Sequence, residues 1–138
     1  MDQTRRQSVT EPGVEDVLGP LGAAVMRVAW EQGESTVGSV LDELNRGRQQ
    51  PLAYTTVMTI LVRLFDRGLV ARERRGRQFV YRPVADERSS IESLSGQAVD
   101  HLLDRYGNAA MRHFAERLAD VNPELRAELL RLAGQREP

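Results

Sequence analysis

The stretch from Tyr54 to Pro83, YTTVMTILVRLFDRGLVARERRGRQFVYRP, changes its period part-way along. In the first half Val57, Ile60, Leu61 and Leu64 recur at helical spacing, and Gly68 after Arg67 supplies a stop. The second half holds two extended runs around Arg75-Gly76, with apolar positions at Val70, Phe79 and Tyr81, and Pro83 ends it. That pattern predicts a β-hairpin. Six arginines stand between Arg67 and Arg82 against a single acid, Glu73. With Val57, Ile60, Leu61 and Leu64 turned inward, Tyr54, Thr55, Thr56, Met58, Thr59, Val62 and Arg63 must point elsewhere. That remaining face is rich in threonine and uncharged until Arg63.

Working outward, the upstream sequence predicts two more helices. One opens at Gly19-Pro20, with glycine as cap and proline at the first helical position, and carries Leu21, Val25, Val28 and Ala29 until Gly33 stops it. Thr36 caps the next, whose Val37, Val40, Leu41 and Leu44 form one buried stripe. Asn45 and Gly47 end it, and residues 46–51 form a connection. Residues 1–17 are polar and aperiodic and read as a frayed tail. Downstream, Asp86 caps a helix bearing Ile91, Leu94, Ala98, Leu102 and Leu103, with a break at Tyr106-Gly107. Met111, Phe114, Ala115 and Leu118 mark another helix, and Asn122-Pro123-Glu124 starts a last one with Leu125, Leu129 and Leu132.

Composition bounds the function. The 138 residues, 41% hydrophobic and 28% charged, suffice for a buried core, and the absence of cysteine removes disulfides, thiolate metal sites and cysteine nucleophiles. All nineteen basic residues are arginine. The net charge of −1 conceals a basic middle: residues 18–85 hold ten arginines against six acids, whereas residues 86–138 hold seven against ten. No apolar run approaches a membrane span and the N-terminus lacks a signal peptide's apolar stretch, so a cytoplasmic location is expected. No nucleophile elbow, glycine-rich phosphate loop or paired-carboxylate spacing occurs, so no enzyme and no cofactor are expected. His101 and His113, with Asp104 and Glu116 nearby, are read as surface residues and not as a metal site.

Three helices followed by a basic hairpin is the order of a winged helix-turn-helix, in which the third helix enters the major groove and the hairpin grips phosphates. The expected fold is therefore mainly α with a small β-hairpin: a tail (1–17), a winged-helix DNA-binding domain (18–85) and a helical dimerisation domain (86–138). Thr55, Thr56, Met58 and Thr59 are expected to face bases, and Arg63, Arg74, Arg75 and Arg77 to hold phosphates. Ile91, Leu94, Ala98, Leu102, Leu103, Met111, Phe114, Leu118, Leu125 and Leu129 are expected to pair two copies. Two other readings stay open. One is a regulator that senses a small ligand between its domains; the other is a protein-interaction adaptor whose Tyr81 and arginine hairpin meet an acidic partner instead of DNA.

The segments LGPLGAAVMRVAW, TVGSVLDELN, YTTVMTILVRLFDRGLV and GRQFVYRPV, in this order and spacing, resemble the penicillinase-repressor (BlaI/MecI) family of regulators of β-lactamase and methicillin-resistance genes, over residues 18 to about 120. The resemblance implies a dimeric repressor on inverted TACA/TGTA-type half-sites, whose operator-reading positions match Thr55, Thr56, Met58 and Thr59. It also implies inactivation by cleavage of an Asn-Phe bond, triggered by a membrane sensor with a protease domain; His113-Phe114 stands at that position here. Where the family often opens the third helix with Ser-Pro, this chain has Ala53-Tyr54.

Overall fold

The computed structural model describes residues 12–120 and 123–134. Six helices and one hairpin follow in the order α1 (Val14–Gln32), α2 (Val37–Asn45), α3 (Tyr54–Asp66), β1 (Val70–Arg75), β2 (Gln78–Pro83), α4 (Glu87–Tyr106), α5 (Asn108–Ala119) and α6 (Pro123–Gly134). They fall into two compact units, residues 12–96 and residues 97–138, with the division inside α4.

The core of the first unit is made by the apolar stripes of the three leading helices. Val25 and Met26 of α1, Val40 of α2, and Val57 and Leu61 of α3 are fully buried together with Leu69 before the hairpin and Val70 and Tyr81 within it. Helix α1 starts at Val14, six residues ahead of Pro20, the expected first helical position. Gly19 does break its regular geometry, at φ 80°, and Pro20 restarts it, but one further turn precedes them. That turn is fixed because Val14 is buried, the Asp16 carboxylate accepts the Gly13 N–H (2.9 Å), and Glu87 accepts the Val14 N–H (3.2 Å). The expected tail therefore shortens; residues 1–11 lie outside the described part.

Helix ends follow their local chemistry. Thr36 and Ser39 exchange hydrogen bonds as a capping box at the start of α2. Asn45 both donates to and accepts from the backbone of Leu52, pinning the α2–α3 connection. At the end of α3, the N–H of Leu69 reaches the carbonyl of Leu64 (2.9 Å) and that of Gly68 reaches Phe65 (3.0 Å), with Gly68 at φ 78°. This is a Schellman motif, and its buried Leu69 leads directly into the hairpin. The strands pair antiparallel from Val70 opposite Pro83 to Arg75 opposite Gln78, leaving a two-residue turn with positive φ at Gly76. Glycine at the first central position is what a type II′ turn requires. Ser35 forms a bridge to Tyr81 on the outer edge of β2, so the α1–α2 turn adds a third backbone to the small sheet.

The beginning of α4 belongs to the first unit. Trp30 donates its indole N–H to the Ala85 carbonyl (2.8 Å), Asp86 caps the helix through the Ser89 N–H (2.9 Å), and Leu94 is only 2% exposed among core residues. Leu94 was expected at a dimer interface; instead it fills the core of its own chain. In the second unit, Gly107 at φ 57° separates α4 from α5, as Tyr106-Gly107 foretold. Among the described residues, no helix is long and apolar enough to cross a membrane.

Candidate nucleic-acid interface

Helix α3 presents two faces. Val57, Leu61 and Leu64 point into the core, while Thr55, Met58, Thr59 and Arg63 are exposed and Thr56 is half-buried. Thr55, Thr56, Thr59 and Arg63 line one shallow groove, together with Ile60 and with Leu21 from α1. Met58 does not join that lining. A step of about 100° per residue carries it round to the flank where Tyr54 is half exposed. Through its first two turns, this outer face bears hydroxyls and methyls and no ionised side chain before Arg63. Hydroxyls of this kind pair with either donors or acceptors on base edges, and threonine methyls pack on thymine methyls.

The hairpin arginines differ in their surroundings. Arg72 lies between two rings, 4.0 Å from the Phe65 centroid and 4.2 Å from that of Phe79, and so ties β1 to the end of α3. Arg74 stands 5.5 Å from the Phe79 ring and is otherwise exposed. Arg77 occupies the turn and, like Arg63 and Arg74, forms no ion pair among the described residues. Arg75 is bound by two carboxylates, Glu34 and Glu73, and Arg82 approaches Glu73 from the opposite strand. The Arg75 guanidinium donating to Glu34 holds that carboxyl below its usual range. Charge counting along residues 67–82 missed Glu34 because it joins the hairpin from 41 residues away.

The pieces brought together are thus an uncharged, hydroxyl-bearing helix face and, beside it, a hairpin tipped with free guanidinium groups. The penicillinase repressor family profile matches residues 18–135. The chain belongs to the penicillinase repressor family. It is 39% identical over 127 residues to the transcriptional regulator BlaI of Mycobacterium tuberculosis, covering 88% of this chain and 91% of that one. It is 29% identical over 92 residues to the penicillinase repressor of Bacillus licheniformis, covering 67% and 70%. The solution structure of the DNA-binding domain of the repressor BlaI covers 61% of this chain and 93% of its own, at 28% identity and a TM-score of 0.44. This family member is a DNA-binding transcriptional repressor with a winged-helix domain, and not an enzyme.

The residues expected to pair two copies lie in varied surroundings. Ala98, Leu102, Met111 and Phe114 are exposed, Ile91, Leu103 and Leu118 are half-buried, and Leu94 is in the core. The side chains of Leu125 and Leu129, and residue Asn122, lie outside the described part. Val99 and Tyr106, not singled out from the sequence, are also exposed and fall on one stripe of α4 with Leu102. His113 sits in the middle of α5 with Nδ1 3.2 Å from a Glu116 carboxylate oxygen.

Proposed function

We propose that this repressor binds an inverted-repeat operator as a homodimer, reads bases with Thr55, Thr56 and Thr59 of α3, and holds phosphates with Arg63, Arg74 and Arg77. Met58 meets the edge of the same half-site. The single observation that carries this reading is the groove in which Thr55, Thr56, Thr59 and Arg63 converge on the outer face of α3. Residues 97–138 join the two heads: Val99, Leu102, Tyr106, Met111 and Phe114 are large apolar side chains left about half exposed in one small unit, a surface that needs a cover. Separation of the two copies then releases the operator. Cleavage at His113-Phe114 by a sensor-linked protease is one route to it, and it requires local unwinding of α5, because a bond in mid-helix does not fit an extended protease cleft. In this reading the regulated genes are β-lactamase or other antibiotic-response genes, carrying TACA/TGTA-type half-sites, and kinship with the penicillinase repressors supports that choice.

The test is to select binding sites from a random duplex library with the purified protein, and to measure the mass of the complex. Recovered inverted repeats with two chains per duplex support the reading; a single unrepeated site with one chain overturns the dimer, and no enrichment overturns base reading by α3.

A further inference from the structure

The two faces of the hairpin carry different charge. Side chains alternate along paired strands, so Arg72 and Arg74 share one face with Phe79 and Tyr81, and Glu73 and Arg75 share the other with Gln78, Val80 and Arg82. The first face meets α3 through the contact of Arg72 with Phe65. On the second, Glu34 of the α1–α2 turn accepts from both terminal nitrogens of Arg75, Nη1 to Oε1 and Nη2 to Oε2, each at 3.1 Å. The Arg75 Nε–H donates to Glu73 Oε1 at 3.0 Å, and Arg82 Nη1 lies 3.7 Å from the same oxygen. Every nitrogen of the Arg75 guanidinium is turned to a carboxylate, in the fork geometry that a phosphate would otherwise take. Glu34 and Arg75 each favour the other's charged form.

We propose that Glu34 tempers the wing: by holding Arg75 against the α1–α2 turn it withholds one cation from phosphate, and so lowers affinity for duplex DNA of any sequence. This rests on the reading of the wing as a phosphate-contacting arm. Phosphate contacts are blind to sequence, so a cation withheld from them lowers binding to operator and random DNA alike and removes no base contact. Exposed ion pairs are individually weak, so the expected bias is about twofold to fivefold in affinity.

The experiment measures affinity for a random-sequence duplex against salt concentration for the intact chain, Arg75→Ala, Glu34→Gln, the double variant Glu34→Gln/Arg75→Ala, and Arg74→Ala/Arg77→Ala. Glu34→Gln is expected to tighten binding and to steepen the salt slope by about 0.9, one added phosphate contact. Arg75→Ala is expected to leave the slope unchanged, and the double variant to behave as Arg75→Ala. If Arg75→Ala makes the slope shallower by about 0.9, Arg75 already contacts phosphate and the inference is wrong. It is equally wrong if the tightening by Glu34→Gln survives the loss of Arg75, since that tightening would then be a general charge effect. Arg74→Ala/Arg77→Ala reports on the wing separately. A shallower slope there supports the phosphate-contacting arm whatever Glu34 does, and an unchanged slope overturns that arm and this inference with it.

Discussion

At the scale of single residues, the proposed reading of bases by α3 would use small polar groups, which makes each contact individually replaceable and informative. Thr56 and Thr59 lie within the groove beside Arg63. Alanine at either removes a hydroxyl and a methyl and leaves the buried Val57, Leu61 and Leu64 untouched. Each variant is expected to change which base is preferred at one operator position, by about 1–3 kcal/mol where a base contact is lost. Selection of sites from a random library checks this, and an equal loss on operator and random DNA would assign the residue to the backbone. These threonines were legible in the sequence because a strict helical period fixes which side chains face inward, and so which are left over. The partner of Arg75 was not legible. Glu34 reaches it only because the Ser35–Tyr81 bridge draws the α1–α2 turn onto β2, a tertiary event without a local signal. Arg72 was likewise counted with the wing charge, yet two aromatic rings occupy its guanidinium.

At the scale of elements, capping chemistry accounts for where α2 and α4 begin, and α3 begins without a side-chain cap. Ala53 has the extended backbone of an N-cap, φ −82° and ψ 152°, but no side-chain oxygen to receive the free N–H groups of α3. Ala53→Ser is therefore expected to stabilise the chain by about 1 kcal/mol, read as a raised denaturation midpoint without change in the salt dependence of DNA binding. Asp86 shows the opposite case. The Ser89 N–H bonding to its carboxylate holds the folded pKa below the ordinary carboxylate range. Its contribution is thus complete above that range and is lost as pH falls through the depressed folded value. Asn caps about as well as Asp and does not titrate. Asp86→Asn is accordingly expected to match the intact chain in melting temperature at neutral pH and to exceed it increasingly below about pH 4, as thermal melts across pH would show. The start of α1 was misplaced in the sequence reading for a related reason. Gly19-Pro20 has the chemistry of a helix start and does restart the helix, but the turn before it is too short to display a period and is held by Val14 and Glu87 through distant contacts.

At the scale of the whole molecule, the question is which leucines of the C-terminal half serve the chain's own fold and which serve a second copy. Periodicity cannot separate them, because a buried stripe looks the same whichever surface covers it. Leu94 and Leu102 sit eight residues apart on α4, yet Leu94 is 2% exposed in the core of residues 12–96, and Leu102 is 48% exposed. Charge placed at the two sites must therefore have different consequences. Leu94→Glu buries an unpaired carboxylate inside the winged-helix unit, which is strongly unfavourable, and is expected to unfold it. Leu102→Glu and Phe114→Glu place the charge on surface that is open in the single chain, so their melting in the monomeric state is expected to stay intact while the dimer fails. In the proposed dimer, two heads joined through residues 97–138 gain effective concentration for the second half-site, an advantage of about 10²- to 10⁴-fold in linked binding. Leu102→Glu is expected to forfeit that advantage on a full inverted repeat and to keep the intact chain's affinity for an isolated half-site. Measuring mass in solution, thermal unfolding, and affinity for one and two half-sites on the same three variants separates the cases. If Leu102→Glu and Phe114→Glu remain dimeric, or become monomeric and still hold the full repeat as tightly as the intact chain, then residues 97–138 do not couple the two heads, and release of the operator must be sought within the winged helix itself.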